Sequence, residues 1–200
     1  MVQRVPDRLR VAVEVLDPAP DARILEVGCG VGIAVGLVCD RLTTGHVTGL
    51  DRSATAVERA EKRLVRCLED GRADLQYKDL ASFYGDGRPY AAIFAVNVNA
   101  FWVGPATAEV ERLVDLLAER GVVRLFYDLP EGADEVRALT GARAALEGGG
   151  FLVDAARTDD VVHLTGRLPA PSARPDLSFS KQPTLRTRVI GQVQGARPHD

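Results

Sequence analysis

The sequence predicts an α/β protein built on a doubly wound, seven-stranded, mostly parallel sheet with an antiparallel hairpin at its C-terminal end. Three observations carry this reading. Short apolar runs of strand length alternate with segments of helical periodicity through residue 168. The first apolar run, 23–27, breaks at once into alternate glycines, Gly28, Gly30 and Gly32, as a strand turning sharply into a helix requires. The last two strand-like runs are separated only by Thr158-Asp159-Asp160, too short for a parallel crossover, so that pair must be antiparallel.

The elements follow in order. Val5, Leu9, Val13 and Leu16 share one helical face that Pro18 and Pro20 close, which predicts a leading helix over 5–17. After the strand 23–27 and its glycines, Ile33, Leu37, Val38 and Leu42 predict a helix ending at Thr43-Thr44-Gly45, and 46–50 forms a second strand ending at Asp51. Ser53 or Thr55 caps a helix whose Val57, Ala60, Leu64 and Leu68 repeat at helical spacing as far as Gly71. Strands at 74–78 and 91–96 end at Asp79 and Asn97, with the turn Gly85-Asp86-Gly87 between them. Pro105 opens a helix carrying Val110, Leu113, Val114 and Leu117, stopped by Gly121, and 122–127 is a fifth strand followed by Asp128. A helix over 134–147 leads through Gly148-Gly149-Gly150 to the final strands, 151–157 and 161–168.

Composition bounds the class. Two hundred residues, 46% of them hydrophobic, suffice to bury a core without metal or disulfide staples. Cys29, Cys39 and Cys67 are odd in number and lack C-x-x-C spacing, which predicts neither a disulfide framework nor a zinc site and points to a reducing, cytoplasmic setting. The first sixteen residues carry too many charges for a signal peptide, and no stretch is apolar enough to cross a bilayer. Residues 169–200 hold five of the eleven prolines and five basic side chains against two acidic ones. The expected division is therefore a folded unit over 1–168 and a basic tail that stays flexible or packs on the acidic body. With Phe179 as its one aromatic, the tail offers little stacking surface for nucleic acid.

The turn itself narrows the ligand. Dinucleotide sites use G-x-G-x-x-G, whereas Glu26-Val27-Gly28-Cys29-Gly30-Val31-Gly32 has glycines at alternate positions and an acid two residues ahead of them. An acid at that strand end suits a cationic ligand and repels a pyrophosphate. This segment resembles motif I of the class I, Rossmann-like methyltransferases that depend on S-adenosylmethionine (SAM). The resemblance covers roughly residues 20–168, and motif I with Asp51 is its specific part. It implies SAM as cofactor and in-line transfer of its methyl group to an acceptor.

Candidate site residues lie at strand ends, because open α/β sheets bind ligands outside the carboxyl ends of their strands. For the cofactor these are Glu26, Gly28, Cys29, Gly30, Gly32, Asp51, Arg52, Asp79, Leu80 and Asn97. Asp51 stands about twenty residues past the glycines, where a carboxylate accepts from both ribose hydroxyls. The resemblance places Asp79 beside the adenine amine, Leu80 against the ring, and substrate-facing residues after the fourth strand. Asn99, Phe101, Trp102 and Tyr127 are the candidates for the acceptor, with the two aromatics walling a dry pocket. None of His46, His163 and His199 is placed as a base, and no catalytic residue or metal ligand is assigned. The amino-methylating N/D-P-P-Y/F run is absent, with Asn97-Val98-Asn99-Ala100 in its place, as is an acid cluster for magnesium. A small-molecule acceptor is the resulting expectation, with no nucleic-acid or membrane partner. A nicotinamide-dependent oxidoreductase and a non-catalytic SAM-binding regulator are the alternatives.

Overall fold

A computed structural model describes residues 4–129 and 134–170. Seven strands, β1 (Arg23–Val27), β2 (His46–Asp51), β3 (Ala73–Tyr77), β4 (Tyr90–Val96), β5 (Leu117–Tyr127), β6 (Leu152–Thr158) and β7 (Val161–Arg167), form one sheet in the order β3-β2-β1-β4-β5-β7-β6. β7 runs antiparallel to both β5 and β6, and every other neighbouring pair is parallel. The expected doubly wound sheet with its C-terminal hairpin is present. Strand order reverses between β1 and β4, which opens a crevice at their carboxyl ends.

Seven helices cover the two faces: α1 (Asp7–Leu16), α2 (Ile33–Cys39), α3 (Ala54–Arg63), α4 (Val65–Glu69), α5 (Ala100–Val103), α6 (Thr107–Leu116) and α7 (Glu135–Gly148). Alternate strand residues point to opposite faces, so Ile24, Val47 and Phe94 pack with Val11, Val35 and Val38 of α1 and α2. Their neighbours Leu25, Leu50 and Ile93 pack with Val110, Leu113 and Leu146 of α6 and α7 on the other face. The near-continuous apolar strands of the sequence follow from this double cover.

Four local features differ from the sequence reading. The helix expected to run from Ser53 to Gly71 breaks at Leu64 (φ −102°, ψ 18°) into α3 and α4; Leu64 is buried against α2, and its side chain stands 2.8 Å from where a Cβ on Gly32 would be. Of the two candidate caps, Ser53 does the capping, its side chain accepting from the Ala56 N–H. β5 begins at Leu117, not after Gly121, because Leu117 pairs with Tyr90 across an irregularity in the β4–β5 ladder. Gly121 thus lies inside a strand. Residues 100–103, given no element by the sequence reading, make the short helix α5.

The fourth difference concerns sulfur. Cys39 and Cys67 form a disulfide, with Cα atoms 6.4 Å apart, against the expectation of no pairing. Twenty-eight residues of sequence separate them, and only the packing of α4 beside α2 brings them together. Cys29 is a buried free thiol.

Candidate functional site

The glycine turn after β1 is built from positive-φ residues: Gly28 at 73°, Gly30 at 54° and Gly32 at 75°. A side chain is strained in that region, and at Gly28 a Cβ would also fall 2.6 Å from Val98 Cγ2. At Gly30 it would meet nothing within 4 Å, so the main chain there is bare toward open space. The Gly28 and Cys29 N–H groups both donate to the Leu50 carbonyl at 2.8 Å, clamping the turn onto the end of β2.

Asp51 completes the clamp. Its Oδ2 accepts from the Gly30 N–H and its Oδ1 from the Ser53 N–H, each at 2.8 Å. One carboxylate thereby orients the glycine turn and the start of α3, and each oxygen keeps a lone pair for a further donor. Glu26 faces the other way. It is 2% exposed and accepts from the Val35 N–H in the first turn of α2, while its Oε2 has no partner. Burial first, and the nearby Asp51 carboxylate second, push its pKa well above the usual carboxylate range. Burial likewise pushes the Cys29 thiol far up, which keeps it protonated and unreactive.

A cavity of about 320 Å³ fills the crevice at the switch point. Gly28, Asp51, Arg52, Asp79, Leu80, Asn97, Asn99 and Phe101 line it, so eight of the fourteen candidate residues come together at one place. Glu26, Cys29, Gly30, Gly32, Trp102 and Tyr127 are not among its lining. Trp102 packs along Gly141 of α7; Tyr127 is buried with its hydroxyl unpartnered, and burial pushes its pKa up. Asp79 serves its own loop, accepting at 2.8 Å from both the N–H and the hydroxyl of Ser82, and these bonds hold its pKa below the usual range. Asn97 sits at φ 54°, a left-handed conformation that Asn tolerates. Its side-chain amide donates to the Asp128 carbonyl (2.9 Å) and accepts from the Asp128 N–H (2.8 Å), tying the ends of β4 and β5. Its main-chain N–H donates to the Phe126 carbonyl at 2.8 Å as well.

Two charged lining residues escaped the sequence reading. Lys78 precedes Asp79 at the strand end and was legible as a neighbour; Glu109 comes from α6, and only packing brings it to the crevice. His46 lies elsewhere, in a separate cavity of about 330 Å³ between β2, β3 and the 83–90 segment, which lacks the glycine turn. His163 sits on β7 against Phe126, and His199 lies outside the described residues, as do all of 171–200. Among the described residues no cluster of His, Cys, Asp and Glu is placed to hold a metal ion, and no helix is long and apolar enough to cross a membrane.

Fold and crevice together define a doubly wound protein with an open cleft at the β1/β4 switch point, where sheets of this kind bind ligands. A family model described as a methyltransferase domain matches residues 25–123. The chain carries a class I SAM-dependent methyltransferase domain. It is 30% identical over 172 residues to a trans-aconitate 2-methyltransferase of Sinorhizobium fredii, covering 84% of this chain and 60% of that protein. A trans-aconitate 2-methyltransferase of Streptomyces avermitilis is 29% identical over 148 residues, 73% of this chain and 54% of that one. The chain thus spans between half and three fifths of the length of these relatives. Among solved structures, the glycopeptide N-methyltransferase MtfA superposes with a TM-score of 0.65 at 16% identity, covering 80% of this chain and 94% of that one. The [4+2]-cyclase SpnF superposes with a TM-score of 0.66 at 15% identity, covering 81% and 80%. At such identities the likeness is one of fold.

Proposed function

We propose that the chain transfers a methyl group from SAM to a small acid, with residues 1–168 as the working unit. The observation that carries this reading is the Asp51 carboxylate on the crevice wall, which accepts at 2.8 Å from the main-chain N–H of Gly30 in the glycine turn beside it. SAM supplies a methyl group already activated on a positively charged sulfur. In this reading Asp51 accepts from the ribose hydroxyls, Leu80 packs on the adenine beside Asp79, and the Gly28–Gly32 turn passes under the methionine end. Glu26 acts indirectly, by holding the first turn of α2. Asn97 offers its main-chain carbonyl, its N–H being bonded to the Phe126 carbonyl, and Asn99 and Phe101 wall the acceptor side. The protein's task is then to align donor and acceptor and exclude water.

The acidic acceptor rests on two points. The relatives' names specify trans-aconitate, a tricarboxylate, and Arg52 and Lys78 place two cations on the cavity wall. A carboxylate acceptor is ionised at neutral pH and needs no general base, which agrees with a lining that holds no histidine or tyrosine among the described residues.

Parallel calorimetric titrations with SAM, S-adenosylhomocysteine and NAD test the cofactor, followed by an acceptor screen that starts with trans-aconitate. Micromolar binding of the first two without NAD supports the reading, and NAD alone transfers the weight to an oxidoreductase. The fold shared with a [4+2]-cyclase keeps a second reading in play, because fold does not imply reaction. Binding of SAM with no methylated product from any acid would favour a cofactor-binding protein without transferase turnover.

A further inference from the structure

Cys39 and Cys67 join the two helices that carry the cofactor turn and its support. α2 starts at Gly32, the last glycine of the turn, and α4 follows directly on α3, whose N-cap Ser53 is bonded to Asp51. The contact between α2 and α4 is layered. Leu64 stands 2.8 Å from the Cβ position of Gly32 and 3.1 Å from that of Gly36, and three residues further along each helix come Cys39 and Cys67. Arg63 Nε donates to the Val31 carbonyl inside the turn at 3.0 Å. Arg72, just past α4, donates to the Cys39 carbonyl at 2.8 Å. A covalent bond between these helices therefore restrains the wall on which the glycine turn rests.

We propose that Cys39 and Cys67 are a reversible redox pair, closed by a disulfide that holds the cofactor turn in its binding geometry and opened by small thiols. The proposal rests on the SAM site described above. Cys67 is the sulfur within reach: it is 8% exposed, against 0% for Cys39, and it lines a groove between α2 and α4 together with Asp40 and Arg66. A thiolate entering this groove attacks Cys67 Sγ, the S–S bond breaks, and Cys39 leaves as a thiolate that takes a proton. A second thiol attacks the mixed disulfide, releases Cys67 as a thiol and leaves as the oxidised small-molecule disulfide. Two electrons pass from two external thiols to the pair. Gly36, Leu64, Arg63 and Arg72 keep the helices together afterwards, so opening loosens the turn without dismantling the fold.

The test compares oxidised and dithiothreitol-reduced full-length protein by intact mass, thermal melting and SAM titration. Alkylated in denaturant, the reduced protein is expected to take up three alkyl groups and the oxidised protein one, on Cys29. It is expected to lower Tm by about 5–10 °C and to weaken SAM binding about fivefold. Cys67→Ser and Cys67→Ala, which cannot close the bridge, should match the reduced protein in both measurements and show no response to dithiothreitol. SAM affinity that is equal in the two redox states overturns the coupling alone. Two thiols that cannot be closed by oxidised dithiothreitol overturn the pair itself. Absence of SAM binding to the oxidised protein overturns the cofactor reading, and the coupling with it.

Discussion

At the scale of single residues, the site is governed by carboxylates that each serve more than one partner. Asp51 holds the Gly30 and Ser53 N–H groups at 2.8 Å and, in the proposed function, the ribose as well. Asp51→Ala is therefore expected to weaken SAM binding about 30- to 150-fold, the value of a charge-assisted pair of hydrogen bonds. It should also lower stability by about 1–3 kcal/mol through the two orphaned N–H groups; calorimetry and denaturant melts read the two effects separately. Glu26 presents the opposite case. Its pKa is raised in the folded chain, so the unfolded chain gives up this proton first. Native stability is thus fullest below the ordinary carboxylate range and falls as pH rises toward the raised native pKa. Glu26→Gln keeps the acceptor for the Val35 N–H and removes the buried charge. The variant should melt with the parent at acidic pH and gain on it as pH rises to neutrality, by on the order of 1 kcal/mol. A Tm series from pH 4 to 8 on both proteins checks the sign.

At the scale of elements, the glycine turn separates packing from ligand access. A Cβ on Gly32 would lie 2.8 Å from Leu64 Cδ1 and 2.9 Å from Ala60 Cβ, and the residue has φ 75°. Gly32→Ala is expected to cost about 2–4 kcal/mol of stability, from strain and from pushing α3 away from α2. Gly30 has a similarly positive φ but empty space around its Cβ position. Gly30→Ala should cost only about 1 kcal/mol of stability while weakening SAM binding at least tenfold, because the new methyl occupies the ligand's path. Comparable losses of affinity and stability in both variants would show that Gly30 does not face the ligand. Helix breaks follow the same logic of contact: α3 and α4 part at Leu64 because that side chain must bury against α2, a demand that local propensity does not register.

At the scale of the whole molecule, the two apolar faces of the sheet and the switch point between β1 and β4 lie within residues 7–167. A chain ending at Ala170 is expected to melt within a few degrees of the full protein and to bind SAM within about twofold of its affinity. Loss of binding in the shortened protein would assign the basic tail a part in the site. The relatives are longer than this chain, and their shared name makes trans-aconitate the first acceptor to test; measured methylation of it would join the cavity's Arg52 and Lys78 to a carboxylate substrate.

The sequence by itself determined the sheet, the glycine turn, the family and Asp51. Each of these is written in local terms: alternation of apolar runs, glycines where φ must be positive, an acid at the end of the following strand, and a link of three residues that forces a hairpin. Tertiary structure alone decided the rest. It spent the Asn97 amide on Asp128 and turned Glu26 toward α2, because a side chain's direction at a strand end depends on which neighbour offers a partner. It brought Glu109 to the crevice from α6 and kept Trp102 and Tyr127 out of its lining, and it joined Cys39 to Cys67 across 28 residues. Those outcomes rest on contacts between elements distant along the chain, and no spacing within one segment encodes them.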